Sequence, residues 1–152
     1  MHYSTREEVR EMLKEGALDP ILGDEFRGGA DEREALMAPL IDTAIADADG
    51  EIDGYLAKRY PVPLTVIPKV INKFSKDIAL YNLFSRMGIE KDSDAEIYLT
   101  RYNAAIKFLT LVAEGKVAIG ADEDSGPVSA AATGFTVQSS PRLFSRASMR
   151  GL

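Results

Sequence analysis

The sequence predicts a mainly α fold: a small antiparallel bundle of about four helices followed by an extended, strand-capable C-terminal tail. Three observations lead there. Apolar residues recur at spacings of three and four along successive stretches before residue 120. Those stretches are bracketed by glycines, prolines or Ser/Thr/Asp caps, the usual punctuation of helices. From Gly120 onward the composition turns to Gly, Ser, Ala and Thr with little helical period, as in segments that gain order only against a partner. The expected division is a helical domain over residues 1–119 and a flexible or partner-docking tail over residues 120–152.

Thr5 with Glu8 three residues on forms a capping box, in which hydroxyl and carboxylate each satisfy the other residue's backbone amide. It opens a helix near residues 5–15 with Val9, Met12 and Leu13 as its stripe and Gly16 as its terminator. Residues 18–29 contain Pro20, Gly23, Gly28 and Gly29 and read as a loop, anchored by Ile21, Leu22 and Phe26. The strongest helical signal follows. Asp31 with Glu34 resembles a second cap, and Leu36, Leu40, Ala44, Ile45, Ala48, Ile52, Tyr55 and Leu56 recur on one face. Pro39 either kinks this helix or divides it. Because proline favours the first helical position, the expectation is a short helix ending before Ala38 and a long one opening at Pro39.

Arg59 to Leu64 carries Pro61 and Pro63, which push their predecessors toward extended backbone and make this an extended connector. Pro68 then opens a helix with Ile71, Phe74, Ile78 and Tyr81 on its stripe, flanked by Val70, Phe84 and Met87 and ended by Gly88. Ser93 with Glu96 makes another capping box. Tyr98, Tyr102, Ala105, Ile106, Leu109 and Val112 carry the last helix to Gly115.

A chain of 152 residues can bury roughly 70% of its unfolded surface, enough for one core. Its 45% apolar and 28% charged residues exclude collagen-like and wholly disordered classes. The absence of cysteine excludes disulfides, thiolate metal sites and thiol nucleophiles. Residues 1–8 lack the basic segment and apolar run of a secretory signal, and no stretch approaches the ~18 apolar residues of a membrane span, so a soluble protein without a membrane partner is expected.

Net charge is −6, unevenly spread: residues 1–56 carry −10, residues 57–120 carry +4 and the tail is neutral. An acidic front and a basic middle attract a second copy head to tail, the contact that closes into rings. The commoner meaning of such a pattern is simply solvated helix faces. Sequence-independent nucleic-acid binding is disfavoured, since phosphate contacts need a concentrated basic surface.

Asp47, Asp49, Glu51 and Asp53 form the one cluster that resembles a site. A calcium loop places glycine sixth and glutamate twelfth, but counting from Asp47 those positions hold Ile52 and Lys58. On a helix, Asp42, Asp49 and Asp53 fall along one side. That leaves a divalent-cation site between protomers as one reading and a solvated acidic face as the more frequent one. The single histidine, His2, sits where chains fray, so a Ser-His-Asp constellation has no firm base. Gly28-Gly29 lacks the glycine spacing and lysine of a phosphate loop. Tyr81, Tyr98 and Tyr102 lie on apolar stripes, where core packing is the default. No catalytic residue, cofactor or metal site is assigned, and a non-enzymatic protein is expected.

The run from Ile45 to Leu64, with its Asp53-Gly54-Tyr55-Leu56 and Arg59-Tyr60-x-x-Pro63-Leu64 elements, resembles the signature of a phage Mu-like family long labelled only as a domain of unknown function. The opening Tyr3-Ser4-Thr5, Pro68 followed by Asp77 to Tyr81, and the closing Pro141 to Arg146 agree with it, so the resemblance covers nearly the whole chain. It implies a helical head-tail connector, an adaptor of the head-completion type, encoded among morphogenesis genes. The protein would form a homo-oligomeric ring matching the portal's symmetry and contact portal and tail or head-completion proteins. Packaged DNA would be only a neighbour in the lumen, and the protein would reside in the virion after assembly in the host cytoplasm.

Within the motif, Asp49, Gly50, Ile52, Asp53, Gly54, Tyr55, Leu56, Arg59, Tyr60, Pro61 and Pro63 are the structural residues. Ile52, Tyr55 and Leu56 are expected to pack the long helix, and Arg59, Tyr60 and Pro61 to fix the chain's exit angle. Gly50 and Gly54 each cost a helix about 1 kcal/mol relative to alanine, which points to close approach of a backbone from this chain or another. In the tail, Phe135, Val137, Leu143, Phe144 and Arg146 are the partner-docking candidates. Asp42, Asp49 and Asp53 would line an acidic lumen past which DNA slides. The alternative is a small cytoplasmic regulatory or divalent-metal-binding helical protein that uses the Asp47 to Asp53 cluster.

Overall fold

The computed structural model describes residues 2–13, 21–23, 27–89 and 96–121. Helices α1 (Arg6–Met12), α2 (Ala30–Leu56), α3 (Lys69–Ser85) and α4 (Glu96–Ala113) run through them, with no strand among the described residues. The chain is mainly helical, as its periodicity predicts.

Helix α1 starts as its capping box requires: Thr5 Oγ1 accepts from the Glu8 amide at 3.3 Å and the Thr5 amide donates to Glu8 Oε2 at 2.9 Å. It stops sooner than the stripe suggests. Leu13 is already extended and buried, so the chain turns inward there, and the expected terminator Gly16 lies outside the described residues.

Helix α2 corrects three expectations. Its N-cap is Gly29, with no side-chain cap bond, so Asp31 belongs to the first turn and acts on the helix dipole instead. It also runs unbroken for 27 residues with Pro39 inside. Proline removes one amide donor, but Pro39 and Ala35 face water, where the freed carbonyl is hydrated, and Thr43 Oγ1 donates to the Pro39 carbonyl at 2.8 Å. Against that local loss stands a stripe that crosses the proline without a break: Met37, Ile41, Ala44, Ile45, Ala48 and Ile52 are all buried. This phase also displaces the expected one at its start, leaving Leu36 exposed and Leu40 only half-buried.

Pro68 sits at the N-cap of α3 with extended backbone, and the helix ends at Ser85 shortly before Gly88, whose φ of +81° no side-chain-bearing residue adopts easily. Gly115, with φ +80°, closes α4 in the same way. The Ser93 cap expected for α4 lies outside the described residues, as do Phe26 and the tail beyond Ala121 with Phe135, Val137, Leu143, Phe144 and Arg146.

Side-chain pairings give the helix directions. Ser75 reaches Asp49 while Asn82 reaches the Ala44 carbonyl, so α3 runs antiparallel to α2. Phe74 meets Phe108, Tyr81 stacks on Tyr102 and Phe84 on Tyr98, so α4 runs antiparallel to α3. Helix α1 lies against both α2 and α3, tied along α2 by Arg6–Asp42 and Arg10–Glu34 pairs. Ile52, Leu56, Ile71, Ile78, Leu83 and Leu109 are fully buried between these helices. Tyr81, Tyr98 and Tyr102 are half-buried, packing by ring stacking at the rim. No helix among the described residues is long and apolar enough to cross a membrane.

Candidate functional site

Asp42, Asp49 and Asp53 do share a side of α2, at steps of seven and four residues. The segment from His2 to Arg6 lies along that side. Arg6 forms a two-pronged pair with Asp42, its Nε donating to Oδ1 at 2.8 Å and its terminal nitrogen to Oδ2. The bond from Arg6 lowers the Asp42 carboxyl below its ordinary range and raises the guanidinium.

Asp49 is buried and accepts three bonds. Its Oδ2 lies 2.9 Å from His2 Nδ1, and its Oδ1 accepts from the Tyr3 amide at 3.2 Å and from Ser75 Oγ at 3.1 Å. Since Ser75 gives its one proton to Asp49, Ser4 Oγ, at 2.8 Å, must donate to Ser75. The Tyr3 hydroxyl donates to Asp53 and accepts from the Leu64 amide at 3.0 Å. Burial, then the Asp53 contact, raises the Tyr3 phenol well above its ordinary value. On the other side of the segment, Asn72 Nδ2 donates to the Tyr3 carbonyl at 2.9 Å and to Glu8 Oε2 at 3.0 Å. The Thr5 amide, then Asn72, lowers the Glu8 carboxyl.

The three carboxylates are thus partners of the chain's own beginning; Asp49 is buried there, which corrects the solvated-face expectation for that residue, while Asp42 stays exposed beside Arg6. Asp42 and Asp53 are separated by about 16 Å of helix rise, so one ion cannot bridge the set. No group of three or more His, Asp or Glu suited to a metal is gathered among the described residues. His2, expected to fray, is held by Asp49 with its ring largely exposed. The Ser75–Asp49–His2 chain is not a hydrolytic arrangement, because the carboxylate occupies the middle and Ser75 has no exposure at all.

The rest of the motif fastens the other end of the bundle. Ile52 and Leu56 are fully buried and Tyr55 packs against the core, as the motif implies. Arg59 Nη1 donates to the carbonyls of Val112 at 3.2 Å and Val117 at 3.5 Å, closing the C-terminal end of α4. Buried Tyr60 accepts from the Ile119 amide at 3.3 Å. Pro61 and Pro63 follow in the extended connector, the latter after a cis peptide bond. Glu51 accepts from the Tyr102 hydroxyl at 2.8 Å, and burial followed by that bond pushes the phenol up to about 12. Of the two sources expected for a backbone close to Gly50 and Gly54, this chain is ruled out among the described residues: both glycines are exposed and an added Cβ would meet nothing within 4 Å.

Sequence reasoning missed Tyr3 and Ser75 as partners of the motif, and Asn72 as a partner of the N-terminal segment. The available signal was a tyrosine placed just before a capped helix, too short a pattern to name a partner some fifty residues away.

Fold and network together define a small helical bundle whose acidic motif clasps its own N-terminal segment. The family described as Bacteriophage Mu, Gp36 matches residues 3–138. The Mu-like prophage FluMu protein gp36 of Haemophilus influenzae is 29% identical over 120 residues, covering 79% of this chain and 80% of the relative. Gene product J of Escherichia phage Mu is 31% identical over 103 residues, covering 68% of this chain and 69% of the relative. The chain belongs to the Bacteriophage Mu Gp36 family. The match begins at Tyr3 and so includes the clasped segment. It also passes the end of the described bundle to take in Phe135 and Val137.

Proposed function

We propose that this chain is a structural, non-enzymatic virion protein that forms a homo-oligomeric ring at the head-tail junction. Its neighbours there are the portal and tail or head-completion proteins, and packaged DNA passes without being bound. Membership of a phage Mu family across most of the chain is the observation that carries this reading. The described bundle supports it: the reactive-looking groups His2, Ser75, Asp49 and Asp53 all serve to fasten the chain to itself. The uneven charge supplies an attraction between copies that weakens with salt.

Size-exclusion chromatography with light scattering, at low and high salt and with or without portal protein, tests the reading. Ring-sized species that dissociate toward monomer at high salt are expected. A strict monomer at every concentration, even with portal present, overturns it.

A further inference from the structure

The solvent side of α2 is unlike that of an ordinary surface helix. At about 100° per residue, the side opposite buried Ile41, Ile45 and Ile52 carries Leu36, Thr43, Ala46, Gly50, Gly54 and Ala57, all exposed. A helix face that meets only water usually carries lysine, glutamate, arginine or glutamine, which favour helix and keep the surface polar. Along this strip, between Leu36 and Ala57, Asp47 is the one charge. The two glycines weaken the helix, and the fold does not require them: neither has positive φ, and a Cβ at either would enter open space. A strip this smooth admits another helix at short interaxial distance.

The outer side of α4 has the complementary character. Thr100, Ala104 and Lys107 are exposed there beside Ile97, and the charges along the middle of the helix, Arg101 and Lys107, are basic. Asp47 on α2 and Lys107 on α4 have no hydrogen-bond or ion-pair partner among the described residues. Both helices turn their buried faces toward one shared core, so their outer faces diverge and one molecule cannot bring them together.

The geometry points to a second copy of this chain as the occupant: α4 of one copy lies on the small-residue strip of α2 of the next, with Lys107 facing Asp47. The contact is heterologous, and repeating it builds a ring when the rotation per copy closes on itself. This deepens the ring reading and rests on it.

Because the chain contains no cysteine, single cysteines report the contact cleanly. Full-length Ala46→Cys and Ala104→Cys proteins, both altered at small exposed positions, are mixed and treated with a short bis-maleimide, alone at high concentration and on portal-bearing heads. Cross-linked dimers are expected in the mixture and not from either protein by itself. Self-linking of Ala46→Cys overturns the inference in favour of a two-fold α2–α2 contact. Linking of Ala46→Cys to Val137→Cys placed in the same chain overturns it in favour of the tail. No linking while the wild type still self-associates overturns this surface and leaves the ring reading standing, whereas a wild type that never self-associates overturns both. As a second measurement, Gly50→Leu should melt no lower than the wild type yet lose at least tenfold in self-association. Unchanged association sinks the assignment.

Discussion

Replacing Tyr3 by phenylalanine removes one oxygen from the point where the N-terminal segment, α2 and the connector meet. That oxygen donates to Asp53 and accepts from the Leu64 amide at 3.0 Å. Leu64 is only 2% exposed, so its amide would be left buried without a partner, a loss of about 1–3 kcal/mol. Asp53 is half-buried and regains part of its lost bond from water, adding about 1 kcal/mol. The ring itself stays in place at 1% exposure, so apolar packing is unchanged. The expected destabilisation is therefore about 2–4 kcal/mol, or roughly 6–15 °C in Tm for a domain of this size. Urea denaturation and thermal melting followed by circular dichroism measure it, with an unchanged m-value confirming that the unfolded state is unaltered. A double-mutant cycle with Asp53→Ala isolates the pair. A loss below about 0.5 kcal/mol, or additivity in the cycle, would refute the view that this hydroxyl clasps the segment.

Tyr102 makes stability pH-dependent at the alkaline end. Its phenol is raised from 10.0 to about 12 in the folded chain, so its contribution is complete below the unfolded value and is lost as pH rises through about 12. Tyr102→Phe should therefore flatten the fall in Tm between those values, and an unchanged slope argues against the Glu51 contact. Pro39→Ala restores an amide donor inside α2 and is expected to stabilise the bundle by about 1–2 kcal/mol in denaturant. Destabilisation would mean that the helix does not run straight through. Arg59→Met keeps the side-chain stem but deletes the group that binds the Val112 and Val117 carbonyls. It should cost about 1–2 kcal/mol. Hydrogen exchange should speed up in residues 113–119 and not in the middle of α2; uniform acceleration would count against a local role.

Helix positions were legible because their cause is local: a capping box at Thr5, glycines at 88 and 115, and apolar residues spaced for one face. The family motif was legible as a string, and its apolar members Ile52 and Leu56 pack as that string implies. The role of its charged members was not. Asp42, Asp49 and Asp53 read as a surface cluster because, on one helix in isolation, they are one.

The sequence by itself determined that the chain is helical, where its helices lie, and which family it resembles, because backbone hydrogen bonding and amphipathic spacing act over a few residues. Tertiary structure alone decided that α2 continues through Pro39, since burial of the stripe from Met37 to Ile52 outweighs one missing amide bond. It also decided that the three aspartates bind the N-terminal segment. Those partners stand 36 to 50 residues away in the chain, and only the closing of the bundle brings them within hydrogen-bond reach.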